Sequence, residues 1–204
     1  MKLTEWLNSL FKTKPVKPAP VPTVVEPVAY KRILEKQVVV DMLKAEFVKL
    51  LGIKELSPNR SKTIDIIVDE FHGQHGEPYC AYTCSHVILQ VCNKLEIDYP
   101  KSVYRGGSSQ GFLKESSAQY VHHYPAAGML MIQTNRDNST LGHVGLCTSS
   151  LLPNGTFETI EANTDNQIKT RADRTMSGPL TKKVSGFVDV AQAIVDQWEA
   201  ENIK

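Results

Sequence analysis

Apolar positions along the chain follow helical spacing first and alternating spacing later. Leu3, Trp6, Leu7, Leu10 and Phe11 recur at three- and four-residue steps, one stripe of a short amphipathic helix within residues 1–14. Pro15, Pro18, Pro20, Pro22 and Pro27 follow, interleaved with Lys and Val. Proline fixes φ and removes a donor, so residues 15–29 read as an extended linker. Helical spacing resumes over Lys31–Leu51, where Val40, Leu43, Phe47 and Leu50 repeat and Gly52 offers a stop. A short helix is predicted over Thr63–Phe71. Pro78–Leu95 carries the widest stripe: Ala81, Cys84, Ile88, Val91 and Leu95, broadened by Cys80, Val87 and Cys92. A helix so apolar is the central, buried one.

After it the pattern changes. Three β-like runs are predicted at Gly128–Thr134, His143–Thr148 and Thr156–Glu161, the last two joined through the turn signal Pro153-Asn154-Gly155. A helix over Val188–Glu201 closes the chain. Helices followed by an antiparallel sheet predict an α+β domain spanning residues 30–204.

Composition narrows the classes. Lys and Arg number 23 against 22 Asp and Glu, which argues against a nucleic-acid binder with its basic excess. No apolar run approaches the roughly 20 residues of a membrane-spanning helix. Four cysteines are too few for a disulfide scaffold, so folding in a reducing compartment is expected. Glu5 and Asn8 interrupt what an export signal would keep apolar, so synthesis in the cytoplasm without a signal peptide is expected. The stripe of residues 1–14 suits a helix resting on its own domain, or one docking on a membrane or virion surface.

Three segments can carry chemistry. Pro78 suits a first helical turn, which puts Cys80 among the free N–H groups at the positive end of the buried helix. Both features favour the thiolate, the nucleophilic form. Taken alone, Cys80 reads equally as one more small apolar residue beside Cys84, Cys92 and Cys147. A nucleophile needs a base. Gly142-His143-Val144-Gly145 supplies one at the start of a β run, with open space about its ring expected from the flanking glycines. His72, His75, His86, His122 and His123 sit in no such frame. Pairing the last two strands as a hairpin makes opposing residue numbers sum to roughly 304–307, which sets His143 beside Glu161 and Asn163. Either could accept the imidazole N–H and fix its tautomer. Zinc is the competing use of Cys80, Cys84, His143 and Cys147, but Cys84 and Cys147 belong to apolar runs; no metal or cofactor is expected. The run Gly106-Gly107-Ser108-Ser109-Gln110-Gly111 lacks the ending of a phosphate loop and reads as a flexible loop lining a cleft.

Together, Glu77-Pro78-Tyr79-Cys80-Ala81-Tyr82, Leu141-Gly142-His143-Val144-Gly145-Leu146 and Thr159-Ile160-Glu161-Ala162-Asn163-Thr164 resemble the CHAP family of cysteine, histidine-dependent amidohydrolases and peptidases. These enzymes are common in phage endolysins and bacterial wall hydrolases. The resemblance covers about Leu51–Arg174, and Asn59-Arg60-Ser61 looks like the segment that leads into such domains. It implies a papain-like fold, with the central helix packed on a small antiparallel sheet. It implies Cys80 as nucleophile, His143 as general base and acid, Glu161 as orienter and Asn163 as a supporting fourth member. The Cys80 backbone N–H would be the first oxyanion-hole donor, with Gln74 or Tyr79 as candidates for a second. The substrate implied is peptidoglycan peptide, cut by amidase or endopeptidase action. Tyr79 stands where many members have Gln. No wall-binding repeat is recognisable after the hydrolase segment, which implies action on Gram-negative peptidoglycan or carriage by a larger assembly. A non-catalytic virion or assembly protein, and a hydrolase of another amide, are the alternatives.

Overall fold

A computed structural model describes residues 33–203, all within the compact unit Arg32–Lys204. The amphipathic stripe of residues 1–14 and the linker of residues 15–29 lie outside the described residues. Helix α1 spans Lys36–Val48, α2 Lys62–Asp69, α3 Cys80–Leu95, α4 Ser109–Glu115 and α5 Val190–Asn202. The strands are β1 Val121–His122, β2 Leu130–Asn135, β3 Gly142–Cys147, β4 Thr156–Thr164, β5 Gln167–Thr175 and β6 Lys182–Val188. They form one sheet in the order β1-β6-β2-β3-β4-β5, antiparallel throughout. Among the described residues this is a mixed α+β arrangement with five α-helices and a six-stranded sheet.

Local chemistry sets the helix starts. Ser61 Oγ accepts the Ile64 N–H at 3.3 Å to cap α2, Ser108 Oγ accepts that of Gly111 at 3.0 Å to cap α4, and Asp189 accepts that of Gln192 at 3.0 Å to cap α5. Helix α3 has no side-chain cap, so its first-turn N–H groups stay available to other acceptors. It packs against both α1 and β3, and ten of its residues are buried. Its apolar face meets Val144, Leu146, Ile160 and Ala162 of the sheet in the main core. Alternate strand positions serve a second, smaller cluster of Met129, Met131, Cys147, Phe157 and Phe187. There Phe157 and Phe187 meet edge to face at 5.7 Å.

Three elements differ from the sequence pattern. The Gly106–Gly111 segment is only half loop, because Ser108 caps and starts α4 within it. Strands β5 and β6 occupy a stretch whose polar residues suggested no sheet. Strand β5 is an edge strand with one solvated face, and its buried positions are few. Among the described residues, no helix is long and apolar enough to cross a membrane.

Candidate active site

Cys80 is the first residue of α3 and is 5 % exposed. The His143 ring and the backbone N–H groups of Val144 and Ala81 are the neighbours that favour its charged form. Burial opposes ionisation of the thiol, but the imidazole and these two N–H groups outweigh it and lower the pKa below its ordinary value of 9.0. The three other thiols are pushed upward, chiefly by burial. Of the four thiols, Cys80 is thus the one whose ionised form its surroundings favour.

His143 is the second residue of β3, and its Nε2 lies 2.8 Å from Glu161 Oε2. That leaves Nδ1 for the Cys80 sulfur. Burial alone would lower the imidazole, yet its bonds to Cys80 and Glu161 prevail and raise it to about 9. Glu161 is fully buried, and burial opposes its charge too. His143 and Arg174 reverse that and hold the carboxyl well below the ordinary range. Arg174 grips both Glu161 oxygens, its Nε lying 2.5 Å from Oε1. Thr159 Oγ1 donates to Oε1 at 2.5 Å and Thr164 Oγ1 to Oε2 at 3.2 Å. The thiol, imidazole, carboxylate and guanidinium therefore form a row in which each group's ionised form has a neighbour of opposite charge.

The sheet register brings these groups together. Gly145 pairs with Glu161, Leu146 with Ile160 and Cys147 with Thr159, within the expected hairpin window. Gly145, two residues after the histidine, acts differently from expectation. His143 is only 4 % exposed, and a Cβ on Gly145 would stand 2.4 Å from Glu161 Cγ. Gly145 makes room for the carboxylate rather than for open space about the ring.

Asn163 departs from its expected place. The alternation of β4 breaks between Glu161 and Thr164, and Asn163 adopts a left-handed φ of 56°. Among the described residues Asn163 is not a hydrogen-bond partner of His143; Thr164 Oγ1 lies 3.3 Å from Nε2 instead. Nor do the side chains suggested for the oxyanion hole reach the site. Gln74 is exposed and Tyr79 is wholly buried, its hydroxyl unpartnered, and neither lines the cleft over Cys80. Burial first, then the nearby Glu55 carboxylate, push the Tyr79 phenol well up. The Cys80 N–H, at the uncapped start of α3, remains the oxyanion candidate.

The cleft has a volume of about 370 Å³. It is walled by Glu77, Pro78, Cys80 and Tyr82 at the start of α3, by Tyr104 and residues 107–109, and by residues 140–142 ahead of β3. The glycine-rich run is needed for its shape: a Cβ on Gly107 would fall 2.2 Å from Tyr82 Cζ. Arg174, Thr159 and Thr164 are the site residues missed in the sequence. The alternation of Ile168, Thr170, Ala172 and Arg174 was the available signal for β5. Among the described residues no group of three or more His, Cys, Asp or Glu is arranged to hold a metal ion, so the Cys80, Cys84, His143 and Cys147 set has no metal-site geometry. Comparison of the chain with protein-family models, curated proteins and solved structures finds no match.

Proposed function

We propose that this chain is a cysteine-dependent amidohydrolase or peptidase that cleaves an amide bond of peptidoglycan. The reading is carried by the convergence of Cys80, His143 and Glu161: the thiol lines the cleft, the imidazole favours its ionisation, and Glu161 holds Nε2 of the ring at 2.8 Å. The motifs about these residues resemble those of CHAP enzymes. On this reading α3 and the β3–β4 hairpin are the nucleophile helix and base-bearing strands of a papain-like core. A phage-encoded wall enzyme is the setting it favours, with residues 1–14 as a docking segment for membrane or virion.

The chemistry follows from the geometry. The Cys80 thiolate adds to the amide carbonyl, and the resulting oxyanion lies at the positive end of α3, near the Cys80 N–H. The imidazolium Nδ1–H gives its proton to the nitrogen of the leaving amine, and a thioester remains. Neutral His143 then takes a proton from water as the water attacks the thioester. Glu161 keeps Nε2 protonated, so that Nδ1 is always the nitrogen exchanging protons.

The test is release of soluble fragments from purified, dye-labelled peptidoglycan by the full chain. The native protein releases dye, whereas Cys80→Ala and His143→Ala fall to background with unchanged thermal unfolding. Mass spectrometry of the fragments assigns the bond cut, amidase or endopeptidase. Full activity in Cys80→Ala removes the thiol from the mechanism. A folded native protein that releases nothing is a non-catalytic virion or assembly protein, or acts on another amide.

A further inference from the structure

Glu77 stands three residues ahead of the nucleophile and lines the same cleft. Its Oε2 accepts two hydrogen bonds, from Tyr82 Oη at 2.6 Å and from the Gln74 N–H at 3.1 Å. Its Oε1 has no hydrogen-bond partner among the described residues and is not buried. The carboxylate is thus held by one oxygen and offers the other.

The hold is rigid. A Cβ on Gly73 would lie 2.4 Å from the Tyr82 hydroxyl, and one on Gly107 would lie 2.2 Å from its ring, so backbone encloses Tyr82 from two sides. Tyr82 is 8 % exposed and packs against Phe71 at 6.3 Å between centroids. A carboxylate anchored to so fixed a phenol is ordered before any ligand arrives, which removes part of the ordering cost of binding.

Around it the cleft has no other ionisable acid or base apart from Cys80 and the two phenols. Tyr82 and Tyr104 contribute ring surface, and Ser108, Ser109 and Thr140 contribute hydroxyls. One fixed carboxylate oxygen with aromatic faces nearby is the chemistry that recognises an ammonium group. An anionic group would meet the Glu77 carboxylate, whose charge no cation lining the cleft balances, and like charges repel.

We propose that Glu77 is the specificity residue of this cleft, recognising a free ammonium group, so that the substrates are amides carrying an unacylated amine near the scissile bond. This rests on Cys80 being the nucleophile, as proposed above.

The test uses two thiol reagents of the same reactive class on the full chain. Each methanethiosulfonate forms a disulfide with the Cys80 thiolate and releases methanesulfinate. One carries an aminoethyl group and is cationic; the other carries a methyl group and is neutral. The ratio of the two rates, read by intact mass, cancels changes in Cys80 nucleophilicity common to both. Native protein favours the cationic reagent, Glu77→Gln lowers the ratio about three- to tenfold, and Glu77→Asp, which keeps the charge, retains most of it. On soluble wall peptides, acetylating the free amines lowers kcat/KM of the native protein by a similar factor and barely affects discrimination by Glu77→Gln. An unchanged reagent ratio in Glu77→Gln overturns the proposal while leaving the nucleophile intact. A Cys80 inert to both reagents overturns the nucleophile reading itself, and this proposal with it.

Discussion

Replacing Glu161 by Gln keeps the shape behind His143 and removes its charge. In the native site the imidazole rises from 6.5 to about 9 despite its burial. At about 1.4 kcal/mol per pH unit, that corresponds to about 3 kcal/mol of preference for the protonated ring. Cys80 and Glu161 are the two partners that supply it. Burial works against them, so together they supply more than this net; with an even division the amide variant forfeits more than half of it, and the ring titrates lower by at least about one pH unit. The Cys80 anion then loses part of its cationic neighbour, so the thiol climbs back toward its ordinary value of 9.0. Because the two groups titrate together, the measured values belong to the pair. The assay is the rate of Cys80 alkylation by iodoacetamide against pH, read by intact mass, beside nitrogen NMR of the ring. The variant's thiolate limb should move about one pH unit toward alkali while the ring titrates earlier. Coincident profiles in the two proteins would refute the reasoning.

Further outcomes follow from the same network. Gly145→Ala drives a Cβ to 2.4 Å from Glu161 Cγ; it should cost about 1–3 kcal/mol in urea unfolding and most of the hydrolysis. Arg174→Gln leaves the buried carboxylate with one cationic partner, and urea midpoints should show a loss approaching the roughly 3–5 kcal/mol of a broken buried pair. Glu161 has a folded pKa below its ordinary 4.5. Its stabilisation is therefore present above about pH 4.5 and is lost as pH falls further. Thermal melts of the native protein should decline through that acid range, and those of Glu161→Gln should decline less steeply.

Legibility in the sequence followed the strength of local signals. Pro78 before a wide apolar stripe announced the start of α3 and so the setting of Cys80. The Pro-Asn-Gly turn fixed the pairing of β3 with β4 closely enough to bring Glu161 to His143. Asn163 was misjudged because strict alternation was carried through a bulge, where a left-handed residue resets the faces. Arg174 was hidden for a different reason. It lies on an edge strand rich in charge, and only the buried acid it grips, 13 residues earlier, shows that its own charge points inward. Tyr79 and Gln74 were judged by nearness along the chain, but a helix start turns successive side chains in different directions.

The near-complete enclosure of His143 has a kinetic consequence. With the ring 4 % exposed and Cys80 at the cleft, one doorway serves both halves of the reaction. On the proposed mechanism the departing amine must vacate the space that water then occupies, which orders turnover as a ping-pong cycle. Any small amine that fills the vacated space first would divert the acyl group to itself. Hydroxylamine added to a working digest should therefore yield hydroxamates in competition with free acid, and the ratio of the two would gauge how well this doorway tells water from amine.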